Sequence, residues 1–268
     1  MRLGDSVGIP VDTEERLTNI RYADDLMIYA LSCSELCSMI ELLCVELQKV
    51  GLHLNMDKTK IFTTDSLSTP LYLDVADGIV EVLRGSVAHK YLGRTLPGNL
   101  RLRGEVELSH RIQNAWAKFH KHRTTLTDRH VSVKSRLKLY EATVTPTVLY
   151  GLAACPLTER QRERLDVIQR RMLRSIVGWA RSAAEDWSDT MRRMRDKVDR
   201  ALRQFPCIPW SMRIAKHQQR LAAHIAKHCN SWAAKAVRWQ PAATIPGAFR
   251  SRGRPLRRWN DTLTAFAR

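Results

Sequence analysis

"RYADDLMIYA", residues 21–30, decides how the first third of this chain is read. Two neighbouring carboxylates, Asp24 and Asp25, stand inside an apolar run, with Leu17 and Ile20 before them and Leu26, Met27, Ile28 and Tyr29 after. Adjacent like charges repel, and neither is stable beside a buried strand without compensation. A sharp turn that lifts both into water resolves the conflict, and so does a positive group held between them. Aspartate is depleted in strands and favoured in turns, so residues 16–30 are predicted as strand, tight turn, strand, with the tip at 23–25.

Outward from the hairpin, a helix is predicted with Ser32 or Ser34 as its cap. Leu36, Met39, Ile40, Leu43, Leu47 and Val50 recur at helical spacing, and Gly51 is placed to end it. "LHLN" and "KIFTT" read as short strands around a turn at 56–57. "LYLDVADGIVEVL" holds Asp77 and Gly78 between two β-rich runs, a hairpin signal, and "VAHKYLG" reads as a last strand. From about Arg101 the period becomes helical. Leu108, Ile112, Ala115, Trp116, Phe119 and Leu126 form one apolar stripe. Ser132 opens a helix predicted to bend or break at Pro146. Thr158 and Gln161 form a capping-box pattern before a helix that buries Leu165, Ile168, Met172 and Ile176. Its other face carries Arg160, Arg162, Arg164, Arg170, Arg171 and Arg174. Residues 181–205 read as helical, "FPCIPW" as a break, and residues 211–239 as one long basic helix. The Gly/Pro-interrupted, Arg-rich stretch 246–263 reads as an extended arm.

Composition bounds the function. The 268 residues carry 44 Lys and Arg against 27 Asp and Glu, a net charge of +17. Residues 1–83 hold 6 cations and 14 anions, net −8, whereas residues 84–268 are net +25. Arginine supplies 32 of the 44 cations, and its planar fork matches phosphate oxygens. A polyanionic partner for the second part is the expectation, with drift of a GC-rich gene towards Arg as the bland alternative. No run of about 18 apolar residues is present, so no membrane span is expected; the N-terminal stretch lacks a secretory pattern. Cys33, Cys37, Cys44, Cys155, Cys207 and Cys229 show no paired spacing and read as reduced thiols of an intracellular protein, nuclear or cytoplasmic.

Paired carboxylates on a rigid tip suit a hard divalent cation, Mg²⁺ or Mn²⁺, which favours oxygen ligands. The alternative is a solvated turn that happens to contain two aspartates. The surrounding motifs bear on the choice. "YADD", residues 22–25, resembles the Tyr-x-Asp-Asp signature of reverse transcriptases. "GLHLNMDKTKIF", residues 51–62, resembles the G-L-x-x-N-x-x-K-T motif that follows it in the non-LTR (LINE-type) retrotransposon and group II intron-type enzymes. "HKYLG", residues 89–93, is similar to the strand that comes next there. "LYG" at 149–151 resembles part of the thumb, and "RGRPLRRWND" at 252–261 an arginine-tryptophan element near the C-terminus of such proteins. The resemblance covers most of the chain.

What it implies is an α+β fold: a partial reverse-transcriptase palm of antiparallel hairpins with a helix over 1–98, a mostly α-helical thumb-like region over 99–180, and a basic helical extension with an Arg-rich tail over 181–268. It implies Asp24 as the main metal ligand with Asp25 supporting it, and Tyr22 beside the primer terminus. Lys58 stands in the position of a general acid to the departing pyrophosphate, and reads equally as a surface lysine. Tyr91, Leu92 and Gly93 would support the primer strand. RNA template, DNA primer and, in the intact enzyme, nucleoside triphosphates are the implied partners. A third aspartate and the nucleotide-binding fingers of the family have no counterpart: Asp5, Asp12, Glu14 and Glu15 are not in strand-like settings. A C-terminal fragment with negligible polymerase activity is therefore expected.

The competing expectation is a non-catalytic nucleic-acid-binding protein or decayed relic of such an element. Trp179, Trp187, Trp210, Trp232, Trp239 and Trp259 all lie in the basic part; most are expected to pack inside. Trp259, flanked by Arg257 and Arg258, is the candidate for stacking on a base. His217, His224, His228 and Cys229 lie close together, but zinc sites draw ligands from two elements, so no zinc is expected there.

Overall fold

The structure, a computed structural model, describes residues 7–12, 14–64, 70–75, 78–245 and 258–264. The chain is α+β, with short strands in the first hundred residues and helices thereafter. Strands β1 (Ile9–Pro10) and β2 (Arg16–Leu17) pair antiparallel, as do β3 (Asn19–Tyr22) and β4 (Asp25–Ile28). Helix α1 (Cys33–Gln48) follows, and Ser32 caps it by accepting from the Glu35 N–H. It ends before the predicted Val50, which is exposed, and the left-handed Gly51 (φ +74°) turns the chain away.

Strands β5 (Lys60–Phe62), β6 (Tyr72–Val75) and β7 (Gly78–Leu83) form a sheet in the order β5-β7-β6. β6 and β7 are the antiparallel hairpin expected around Asp77, which itself lies outside the described residues, and β5 joins β7 in parallel. Residues 52–55, read as a strand, belong to none. "VAHKYLG" is not the last strand: β8 (Ala88–Tyr91) turns at Leu92 and Gly93 and pairs with β9 (Arg94–Pro97). Gly98 lets the end of this hairpin pass against the β7–β8 connection. A Cβ there would lie 2.4 Å from the Arg84 nitrogen, which no side chain can occupy.

The helices are α2 (Arg103–Lys121), α3 (Arg123–Thr127), α4 (Val133–Leu149), α5 (Glu159–Ile176), α6 (Trp187–Gln204), α7 (Trp210–Lys227), α8 (Trp232–Arg238), α9 (Pro241–Thr244) and α10 (Trp259–Thr264). Both bonds of the capping box form at α5: the Gln161 N–H donates to Thr158 Oγ1 and the Thr158 N–H to Gln161 Oε1. Pro146 neither breaks nor ends α4. Leu137, Tyr140, Val144 and Val148 are buried on one face of that helix, and this packing outweighs the one lost backbone bond. The long basic helix is divided into α7 and α8, the latter capped by Ser231, whose side chain accepts from the Ala234 N–H. Within the expected arm, residues 246–257 lie outside the described residues, and Trp259 begins a short helix.

The described residues of 1–106 and 225–256 make one compact unit, and those of 107–224 and 258–264 another. In the first, Ile40 and Cys44 of α1 pack with Ile61, Val75, Val80 and Val82 of the three-stranded sheet, and Ile28 of β4 joins them. In the second, Trp210 is wholly buried and stacks on Tyr140, with ring centroids 6.2 Å apart. Its indole N–H donates to Thr145 Oγ1 over 3.2 Å, and its backbone N–H to Gln169 Oε1. A buried indole whose N–H is satisfied contributes about 3–5 kcal/mol against truncation to alanine. No helix among the described residues is long and apolar enough to cross a membrane.

Candidate functional site

The acidic motif forms a two-residue hairpin. Tyr22 stands opposite Asp25 and Arg21 opposite Leu26, so Ala23 and Asp24 alone make the turn. Ala23 takes a positive φ of +53°, a conformation that costs an L-residue about 1–2 kcal/mol. Asp24 and Asp25 are both exposed, as is Tyr22 at 65%. Asp25 and Met27 lie on one face of β4, with Tyr29 continuing the alternation just past its end, and the other face carries Ile28 into the core.

The second hairpin repeats the strain. Leu92 (φ +48°) and Gly93 (φ +71°) are the two central residues between Tyr91 and Arg94, and both take the positive φ of a type I′ turn. Ala23 and Leu92 are the two non-glycine residues with positive φ among those described, one at each hairpin tip. Residues held in sparsely populated conformations cluster where a surface is used.

Tyr91 is the residue of this hairpin that feels the charge of Asp25. Its phenol is pushed above the ordinary tyrosine range, chiefly by burial and then by the charge of Asp25. Tyr29 is raised in the same way by its own burial and by Tyr91. The Tyr29 hydroxyl donates to Met27 Sδ over 2.9 Å, while Tyr91 Oη is buried with no hydrogen-bond partner among the described residues. Asp25 and Tyr91, and Tyr91 and Tyr29, are therefore within electrostatic reach of each other. Sequence reading named Asp25 and Tyr91 but missed Tyr29; the two-residue period of β4, which aligns it with Asp25, was the available signal.

Other implied residues stand apart. Lys58 lies exposed in the turn before β5, where its backbone N–H donates to Asn55 Oδ1, and its ammonium makes no ion pair among the described residues. Arg257 lies outside the described residues. Arg258 is exposed, and Trp259 is half-buried with its indole N–H donating to the Ala153 carbonyl over 2.7 Å. The arginine face of α5 is incomplete: Arg162 is buried, its guanidinium 3.5 Å from Gln218 Oε1, whereas Arg160, Arg164, Arg170 and Arg171 are exposed. Burial, and after it Arg170 and Arg171, lower the proton affinity of Arg174.

A divalent cation at the hairpin would need more than this pair supplies. Magnesium demands near-octahedral oxygen coordination, and two-ion chemistry places two cations about 4 Å apart, each sharing carboxylates. No group of three His, Cys, Asp or Glu side chains able to surround a metal occurs among the described residues. Two carboxylates are fewer ligands than a two-ion centre needs. All six cysteines are free thiols, three of them buried.

No protein-family model matches this chain, and no solved structure matches it. A putative uncharacterized transposon-derived protein of Caenorhabditis elegans is 26% identical to it over 259 residues, covering 92% of this chain and 84% of that one. That likeness points to a transposable-element origin.

Proposed function

We propose that this chain is a palm-and-thumb portion of an RNA-directed DNA polymerase of the non-LTR retrotransposon type, and that its own contribution is to hold primer and template. The observation that carries the proposal is the hairpin, which presents Asp24 on a strained two-residue turn and Asp25 at the start of the following strand, with Tyr91 of the β8–β9 hairpin within reach of the Asp25 charge. The G-L-x-x-N-x-x-K-T stretch at 51–59 and the transposon-derived relative add support. In this reading Tyr22, Tyr91, Leu92 and Gly93 line the primer end, and the exposed arginines of α5 meet phosphates. Metal-dependent nucleotidyl transfer belongs to an assembly with a third carboxylate, because this pair does not complete a two-ion centre.

A primer carrying a photoreactive nucleotide at its 3′ end, annealed to an RNA template, tests the proposal. Crosslinks to peptides of residues 19–28 and 88–97 are expected. Crosslinks confined to the helical unit would refute it. Primer extension by the chain alone is expected to be negligible; clear extension that disappears in Asp24→Ala would refute the incompleteness of the carboxylate set.

A further inference from the structure

The α5–α6 connection carries a feature that neither hairpin explains. Trp179 and Trp187 stand at its two ends with 41% and 54% of their surface exposed, although most tryptophans of this region were expected to pack inside. Their ring centroids are 6.0 Å apart and their planes tilted by 57°. Burying such rings is worth several kcal/mol, so two adjacent exposed ones mark a surface with a partner.

The backbone beneath them is fastened. Gly178, in the left-handed region at φ +85°, ends α5. Lys197 Nζ donates to the Gly178 carbonyl over 3.2 Å, and Arg193 donates to the Ala180 carbonyl and to both oxygens of Glu185. Asp186 caps α6. The indoles therefore project from a braced segment.

Charge identifies the partner. The Arg174 guanidinium lies 5.9 Å from the centre of the Trp179 ring, and that of Arg181 5.6 Å from the centre of the Trp187 ring. Arg170 and Arg171 act on Arg174, while Arg129, Arg136, Arg193 and Arg200 act on Lys197. The carboxylates present are engaged locally: Glu185 by Arg193 and Thr190, Asp186 by Ser188, and Asp189 by Arg192. Aromatic faces beside the guanidiniums of Arg174 and Arg181, which make no ion pair among the described residues, match unpaired bases on a phosphate chain. A duplex hides its base faces, so it offers these rings nothing to stack on.

We propose that Trp179 and Trp187, with Arg174 and Arg181, form a stacking platform for single-stranded nucleic acid. The platform does not depend on the polymerase reading of the acidic hairpin.

Fluorescence anisotropy with the full chain and labelled RNA or DNA strands of about 12 nucleotides tests it, with a duplex of the same length for comparison. A Trp179→Ala, Trp187→Ala double variant is expected to weaken single-strand binding by about 10- to 100-fold, RNA and DNA alike, and duplex binding by less than about 3-fold. Its salt dependence stays unchanged, whereas Arg174→Gln with Arg181→Gln flattens the slope of log affinity against log salt by about 1–2. Trp→Phe at both positions retains most of the affinity. Should the alanine pair fold poorly, Trp→Leu at both positions keeps apolar bulk without a flat ring and is expected to lose the same affinity. Unchanged single-strand binding in the leucine pair, or equal losses for duplex and single strand, overturns the proposal.

Discussion

Replacing Tyr91 with phenylalanine removes one oxygen and leaves the ring in place. That oxygen is buried without a hydrogen-bond partner among the described residues, near the charge of Asp25. A desolvated hydroxyl with no partner carries a cost of about 1–3 kcal/mol. Tyr91 as a whole is only partly buried, so the lower part of that range applies, and Tyr91→Phe is expected to stabilise its hairpin by about 1–2 kcal/mol. Native-state hydrogen exchange is the suitable assay, because a chain of two units has no single unfolding free energy and exchange reports each element by itself. Amides of β8 and β9 are expected to exchange about 5- to 30-fold more slowly in the variant. Because that oxygen has no exposed surface, affinity for a primer–template is expected to change by less than about 2-fold in the variant. Faster exchange in the variant by a similar factor refutes the reasoning, since it means that the hydroxyl has a stabilising partner within the fold.

Ala23 sits at φ +53° on an exposed turn, so Ala23→Val is expected to loosen β3 and β4 by about 1–2 kcal/mol in hydrogen exchange while Ala23→Gly leaves them at least as stable; equal behaviour of the two variants counts against the strained turn. Cys229 is exposed whereas burial pushes the Cys207 thiol up to about 12. A thiol reagent at neutral pH is therefore expected to modify Cys229 first and Cys207 only on unfolding, and native labelling of Cys207 contradicts its burial. Hydrogen bonds from Arg193 and then Thr190 hold Glu185 down from 4.5 to about 2. A depressed carboxylate contributes stability above its unfolded value, so that contribution is present above pH 4.5 and fades as pH falls to about 2. Urea midpoints measured across that window should drop for the native chain and stay flatter in Glu185→Gln; parallel curves refute the pairing.

Much of the local architecture is legible in the residues themselves. The Asp24–Asp25 pair marks a turn, Ser32 and Thr158 mark helix starts, and apolar spacing marks the buried stripe from Leu108 to Phe119. Each is an interaction within about four residues of its own position, so a single stretch contains all its partners. β9 escaped because Leu92 gives no hint of a type I′ turn, where glycine or asparagine is the usual signal.

Other properties depend on which distant elements meet. Pro146 stays inside α4 because four buried side chains hold that helix against its neighbours. Arg162 leaves the arginine face because Gln218 of α7 receives it. Trp210 and Trp187 look alike in sequence, yet one is enclosed by Tyr140 and Thr145 and the other stands in solvent. Tyr91 feels the charge of Asp25 only because the fold brings two residues far apart along the chain within electrostatic reach of each other. Where the chain turns and which helix faces are apolar can be read from neighbouring residues, since both follow from backbone sterics and short-range capping. Burial and electrostatic neighbourhood came from the tertiary structure, because desolvation and Coulomb forces act through space between segments that local rules do not connect.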